Sequence, residues 1–115
     1  MEWRAENEPV AGPDEDVWEP VKGSRIRLMC DYGGGIPVWD EEGGLPEDPA
    51  YLARELGLSR ELVADLMAWS REWDIRGPDR ESRQAQRDRH DEVGRRLLDR
   101  VRGEILPGFT VELKL

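Results

Sequence analysis

Two stretches of the chain alternate apolar and polar residues, which is the pattern of a strand with one buried face. In residues 25–30, Ile26, Leu28 and Cys30 fall on one face, and the residues between them fall on the other. In residues 109–115, the odd-numbered residues are apolar and the even-numbered ones are polar. We therefore predict a strand in each stretch, with the rest of the domain between them.

Helical patterns fill most of the region between these strands. Asp48 and Pro49 are typical of a helix start. Gly57 is typical of the residue in left-handed conformation that ends a helix. Ser59 is the expected cap of a second helix. The apolar face of that helix consists of Leu62, Leu66, Trp69 and Trp73. A third helix is indicated by apolar residues spaced by four, namely Val93, Leu97, Val101 and Ile105.

These elements together predict a fold class. Residues 36–39 are a short extended piece, and Pro37 places it at a sheet edge because proline cannot donate to a strand ladder. Gly94 and Gly103 lower the helix propensity of the third helix. Because both longer strands have one apolar face, helices should cover one side of the sheet. We predict an α/β fold, a small two-layer sandwich of about three strands with two to three helices on one face, in the order β-β-α-α-α-β. The last strand can then lie parallel beside the first.

The chain divides into an arm and a domain. Residues 1–24 are an acidic, proline-containing N-terminal arm without sustained periodicity. Residues 25–115 are expected to form a single α/β domain, as the length allows. Two interpretations of the arm stay open: a solvated tail, or a segment that docks through Trp3, or through Val17 with Trp18, on the domain or a partner.

Charge is distributed unevenly along the chain. Residues 1–48 hold thirteen acidic and four basic residues, a net charge of −9 that equals the net charge of the whole protein. Residues 75–104 hold nine arginines and seven acidic residues. Because these acids can pair with the arginines at i,i+3 and i,i+4, we expect a salt-bridged, solvated face there. The acidic first half instead favours a basic partner.

Composition excludes several classes of function. One cysteine excludes an internal disulfide, and with one histidine it excludes an ordinary Cys/His zinc site. No apolar run reaches the roughly 18–20 residues that span a bilayer. The N-terminus lacks the apolar core of a signal peptide, so we expect a cytoplasmic protein. We expect no cofactor and no metal.

Three local patterns resemble functional sites but have plainer interpretations. Cys30 and His90 can in principle form a nucleophilic pair, but we expect Cys30 to be a small buried hydrophobe and His90 to be solvated. The glycines of residues 33–35 are followed by no lysine and no helix start, so a tight turn is preferred to a phosphate loop. The acids of residues 40–48 match no calcium-loop spacing, and we expect a solvated acidic loop.

Three segments, residues 25–45, 56–74 and 93–113, resemble a group of small acidic bacterial proteins typical of high-GC actinobacteria. The shared pattern is a strand ending in a Leu-Met-x-Asp-Tyr-Gly-like turn, a Pro-x-Trp segment, and a helix that closes on Trp and Asp. The family has no assigned function, so the resemblance implies a discrete domain over residues 25–113 and no activity, cofactor or site. The three glycines of residues 33–35 depart from the pattern.

Residues 49–69 also have features of a DNA-binding helix-turn-helix motif. Residues 49–69 have a small residue, Ala53, where two helices would touch, and Gly57 in the turn. The would-be recognition helix offers Arg60 but also carries Glu61 and Asp65, whereas DNA affinity requires neutralised phosphates. With a pI of about 4.7, nucleic acid is not the expected partner.

We therefore predict a non-catalytic, acidic protein-interaction domain, an immunity- or antitoxin-like inhibitor of a basic protein partner. A DNA-binding regulator that uses residues 49–69 is the alternative. Carboxylates would steer the basic partner, and tryptophans would anchor it. The expected partner-binding residues are Trp3, Asp14, Glu15, Asp16, Trp18, Trp39, Asp40, Glu41 and Glu42. The oligomeric state is left open.

Overall fold

The regular elements of the described residues follow the predicted order. The computed structural model describes residues 18–31, 35–75 and 77–115. The strands are β1 (Arg25–Met29), β2 (Val38–Trp39) and β3 (Thr110–Lys114). The helices are α1 (Pro49–Leu56), α2 (Arg60–Arg71) and α3 (Arg80–Glu104). The α/β class and the order β-β-α-α-α-β are confirmed.

The strands form one sheet in the order β2-β1-β3. β2 pairs antiparallel with β1, so that Leu28 lies opposite Val38. β3 pairs parallel with β1, so that Ile26 lies opposite Val111. The parallel position of the last strand beside the first is therefore confirmed. The edge position of the piece that contains Pro37 is confirmed as well.

The sheet has one buried face. Its buried strand residues are Ile26, Leu28, Val38 and Val111. The same core includes side chains from every helix, among them Leu52, Leu56, Leu62, Leu66, Trp69, Leu97 and Val101. The intervening residues of β1 and β3 are exposed or half-buried. The helices therefore cover one side of the sheet, because the alternating strands supply only one apolar face.

Local hydrogen bonds set the helix ends as the sequence predicts. Asp48 caps α1 by accepting a backbone N–H of its first turn at 3.0 Å, and Gly57 ends that helix with a φ of 80°. The Ser59 hydroxyl caps α2 by accepting the Leu62 amide at 3.1 Å. The Glu104 carboxylate then accepts the Ser59 amide at 2.7 Å. The end of α3 is thereby tied to the turn between α1 and α2.

The third helix is longer than its apolar residues indicate. It begins at Arg80, where Asp79 caps it, and its buried residues are His90, Gly94, Leu97 and Val101. Val93, one of the apolar residues that indicate this helix, lies outside the core, because its side chain is 39% exposed. Although α3 has 25 residues, neither it nor another described helix is apolar enough to cross a membrane.

Gly94 permits the close approach of α2 and α3. A Cβ at this position would lie 2.7 Å from Cζ2 of Trp69, a side chain that is 2% exposed. A contact of that length forces either the indole or the helix to move. The glycine that the sequence presents as a weak point of the helix is therefore a packing requirement.

We predict that Gly94→Ala destabilises the protein by about 1–3 kcal/mol, because the added methyl overpacks the contact with Trp69. Gly103 is the matched control, since it lies on the same helix and a Cβ added there would meet nothing within 4 Å. Gly103→Ala should be neutral, or stabilising by up to about 1 kcal/mol, because alanine has the higher helix propensity. Urea unfolding of both variants measures the difference, and equal midpoints would contradict the packing argument.

Candidate protein-interaction surface

The last residues of the expected arm are fixed to the domain. Residues 18–24, which we call the strap, run beside the start of α1. The Tyr51 hydroxyl donates to the backbone carbonyl of Glu19 at 2.7 Å. The Val21 amide donates to the Glu55 carboxylate at 3.4 Å. Side chains of α1 therefore hold the first half of the strap in place.

A buried carboxylate holds the second half of the strap. Asp40 is 7% exposed, and its Oδ2 accepts the Lys22 amide at 2.8 Å. Its Oδ1 accepts the amides of Glu42 and Gly43 at 2.8 and 3.0 Å. The expectation of a solvated Asp40 is therefore wrong. An ionised carboxylate is buried only where hydrogen bonds replace its water, and here three backbone amides do so.

Glu41 makes a second link to the strap. Its Oε2 accepts the amides of Ser24 and Arg25 at 2.9 and 3.3 Å. The Ser24 amide, followed by the Arg25 amide, lowers the pKa of the Glu41 carboxyl below its usual value. The resulting stabilisation is present above the pKa of an unfolded glutamate and is lost as the pH falls through the lowered folded pKa.

The strap forms one wall of an open groove, which we call the acidic groove. Its volume is about 430 Å³. The strap contributes Trp18, Glu19, Pro20 and Lys22 to the lining, and the domain contributes Asp40, Glu42, Leu45, Pro46 and Tyr51 with two glycines. The Trp18 side chain is 40% exposed. The groove thus combines an accessible indole and apolar walls with carboxylates.

Trp39 lies beside a second, smaller groove. This groove has a volume of about 280 Å³ and shares Leu45 with the acidic groove. The Trp39 indole N–H donates to the backbone carbonyl of Met29 at 2.9 Å, so the ring is held in place. The structure thus places Trp18 and Trp39 in grooves that meet at Leu45, although they lie far apart in the sequence.

Besides Trp18 and Trp39, the expected partner-binding residues fall into three groups. Glu42 is exposed and lines the acidic groove, whereas the carboxylates of Asp40 and Glu41 bind backbone amides of the protein itself. The remaining predicted residues, Trp3, Asp14, Glu15 and Asp16, lie outside the described residues. Sequence reasoning missed Pro46 and Glu47, which line an open depression next to Trp18.

Residues 24–114 match the model of a protein family described as Serratia CdiI immunity protein-like. The chain belongs to this family. The match covers every strand and helix described above and begins at the last residue of the strap. No curated protein and no solved structure matches the chain.

Family membership confirms the prediction of an immunity-like inhibitor and implies a protein partner. It also confirms that the domain expected from the sequence resemblance belongs to a small protein family. The match carries no statement about actinobacteria or about acidity, so those parts of the resemblance stay predictions.

The helix-turn-helix hypothesis gains no support from the described residues. α1 and α2 do meet at Gly57, but the buried face of α2 serves the core. Its exposed face carries Glu61, and its Asp65 pairs with Arg100 of α3. A helix of this charge offers little to a phosphate backbone.

Cys30 and His90 meet inside the protein. The expectation of a solvated His90 is wrong: it is 8% exposed, and its ring stacks on Trp69 with centroids 4.9 Å apart. Its Nε2 lies 2.9 Å from the Trp69 carbonyl and 3.9 Å from the Cys30 sulfur. The helical spacing of His90 from Gly94, Leu97 and Val101 was the signal that places it on the buried face.

This contact does not form a nucleophilic pair. Because the Trp69 carbonyl can only accept, Nε2 of His90 carries the proton and donates it there. The same nitrogen is then unable to remove the proton of the Cys30 thiol. Burial raises the pKa of that thiol to about 12. Among the described residues, no group of three or more His, Cys, Asp or Glu side chains is placed to hold a metal ion.

We predict that the Cys30 thiol resists alkylation in the native protein. Burial limits access and disfavours the thiolate, which is the reactive form. Iodoacetamide labelling, followed by mass spectrometry, should be slow in buffer and fast in urea. Equal rates in the two conditions would contradict the assignment and restore Cys30 as a candidate nucleophile.

We predict that Asp40→Asn destabilises the protein by about 2–3 kcal/mol, because an amide lacks the second acceptor oxygen and the charge that bind the three backbone amides. Glu42→Gln is the matched control, since Glu42 is exposed and its neutralisation should leave the unfolding midpoint near that of wild type. Urea unfolding at neutral pH measures both. A stable Asp40→Asn variant would show that the carboxylate is not what holds the strap.

Proposed function

We propose that this protein neutralises a toxin in the cytoplasm by binding it, without catalysis, through the acidic groove and the surface around it. The observation that carries the proposal is the immunity protein-like family match over residues 24–114, in a chain whose described surface includes an acidic groove with apolar walls. The match supplies the kind of function, and the groove supplies a surface of suitable chemistry.

Charge supports a basic toxin surface. The described lining of the groove includes three carboxylates, from Glu19, Asp40 and Glu42, and one cation, Lys22. Lys22 is paired with Glu19 at 2.9 Å, so these two charges offset each other, and Asp40 with Glu42 leaves the lining a net charge of −2. Exposed charges of one sign raise the association rate with a partner of the opposite sign.

Apolar anchors support a protein rather than a small ion as the partner. Trp18 and Trp39 offer partly exposed indoles, and aromatic side chains at the centre of an interface supply much of its binding energy. We propose that the arm adds Trp3 and the carboxylates of residues 14–16 to the same interface. Asp40 and Glu41 contribute indirectly, because they shape the loop and the strap.

The arginine-dense helix α3 is less suited to the role. Arg96 pairs with Glu92 at 2.6 Å, and Arg102 donates to the Val111 carbonyl at 2.7 Å. Arg100 pairs with Asp65 of α2. These contacts use three of the α3 arginines within the protein, and the Arg96–Glu92 pair has the i,i+4 spacing that the sequence predicts.

Inhibition by occlusion requires no catalytic group of its own. The groove is lined by carboxylates, one ammonium, the Tyr51 phenol and apolar side chains, which suit the binding and covering of a protein surface. We therefore propose that the toxin is blocked by a complementary surface.

The proposed function predicts that a toxin is encoded beside this gene, and that toxin is the natural probe. We predict that it copurifies with the protein, and that Glu42→Lys combined with Glu47→Lys slows association by about tenfold or more, because like charges then face the toxin. Asp99→Lys combined with Glu112→Lys is the matched control, since it makes the same change in net charge at residues outside the groove.

Association rates measured across an ionic-strength series distinguish these outcomes. The groove variant should also show a flatter salt dependence, whereas the control should stay close to wild type. Equal slowing in both variants would indicate a net-charge effect and would contradict the groove as the interface. A toxin that binds no form of the protein would contradict the proposed function itself.

A further inference from the structure

The strap lies almost entirely outside the matched family domain. The family match begins at residue 24, whereas the strap begins at residue 18. Yet Trp18, Glu19, Pro20 and Lys22 all line the acidic groove. One wall of the groove is therefore formed by residues that precede the matched segment, whereas the other wall is formed by the loop after β2, which lies within it.

The strap is held in a defined position. Its attachment combines the Tyr51 bond to Glu19, at 2.7 Å, and the Asp40 bond to Lys22, at 2.8 Å. The amide of Glu41 also donates to the Lys22 carbonyl at 3.4 Å. A segment fixed at both ends presents its side chains with little further loss of entropy on binding.

Trp18 is the strap residue best placed to meet a partner. It lines the acidic groove and also an adjoining open depression, whose lining includes Pro46, Glu47 and Asp48. With 40% of its surface exposed, the indole stands where these two concavities meet. Glu42 lines the first concavity, and Glu47 lines the second.

An indole between carboxylates has a defined ligand preference. The face of a tryptophan ring attracts a cation, more often arginine than lysine, and it does so more strongly than phenylalanine does. A guanidinium can stack on the ring while its N–H groups reach carboxylates at the edge. Lys22, the basic side chain of the strap, is directed to Glu19, so the strap itself supplies no cation to Trp18.

We infer that the strap is a specificity element, which adds to the family domain a site where Trp18 receives a cationic side chain of the toxin, arginine by preference. The inference rests on the proposed function for the identity of the partner. It goes beyond that proposal because it assigns partner choice to residues that precede the family domain.

A peptide titration tests the chemistry without the toxin. The probe is a blocked tri-arginine peptide, and a tri-citrulline peptide of the same shape is its neutral control. In the ¹⁵N-labelled full-length protein, the indole N–H resonance of Trp18, assigned with Trp18→Phe, should move with the arginine peptide only. The Trp69 indole is an internal reference, because it is 2% exposed and bonded to the His90 carbonyl. Equal shifts with both peptides, or no shift of Trp18, overturn the inference.

Binding of the neighbouring toxin tests the biological role. Trp18→Leu should raise the dissociation constant by about tenfold. Trp18→Phe should retain most of the affinity, because it keeps an aromatic face. Val93→Ala is the control, since Val93 is exposed to nearly the same extent, 39%, on α3. Thermal unfolding of each variant confirms that the fold is intact.

The outcomes separate this inference from the proposed function. Wild-type affinity in Trp18→Leu overturns the strap site while toxin binding itself stands. Equal weakening in Trp18→Leu and Trp18→Phe overturns the assignment of a cation, because the loss then follows the size of the indole. If the toxin binds no form of the protein, the proposed function fails, and the peptide titration alone decides whether Trp18 receives a cation.

Discussion

The buried carboxylate of Asp40 is the interaction on which the acidic end of the molecule depends. It joins the strap to the loop after β2 by accepting amides from Lys22, Glu42 and Gly43. These bonds fix both walls of the acidic groove relative to each other. A residue that looks like a surface charge in the sequence is therefore the structural centre of the candidate interface, and the exposed acids around it are available for steering a partner.

A different constraint governs the opposite end of β1, where it meets α3. There Trp69 fills the space above Gly94, stacks on His90 and donates its indole N–H to the His90 carbonyl at 2.8 Å. The polar groups of this contact are satisfied, so a histidine is tolerated within the core. Cys30 completes the cluster as a buried thiol. The potentially reactive residues of the chain thus serve packing, which agrees with an inhibitor that acts through its surface.

The two ends of β1 lie in regions with different roles. β1 runs from the strap, next to the acidic loop, toward Cys30 and the contact with α3. The charged segments of the sequence have separate roles: carboxylates and the exposed Trp18 line the acidic groove, whereas arginines of α3 bind groups of the protein itself. This separation lets a family domain of modest size present one acidic surface to a partner while ion pairs and backbone contacts use several of its arginines.

The sequence by itself determined the elements and their order, because these depend on local chemistry. Alternation in β1 and β3, the caps Asp48 and Ser59, and the stop at Gly57 each act over a few residues. Sequence charge also indicated the class of function, since acidity is a property of the whole chain. It placed Trp18 and Glu42 among the predicted partner-binding residues, although their joint position remained unknown.

Only the tertiary structure decided which charges are free and which are used internally. Asp40, Glu41 and Glu42 are adjacent and chemically alike, yet the first is buried, the second binds the strap and the third is exposed. Their difference arises from backbone amides of residues 22–25, which approach through the fold and leave no local trace in the sequence. The same holds for His90, whose charged neighbours indicate solvent but whose helical face turns toward Trp69. Burial is a property of three-dimensional packing, so it decides a residue's role where sequence pattern alone leaves several open.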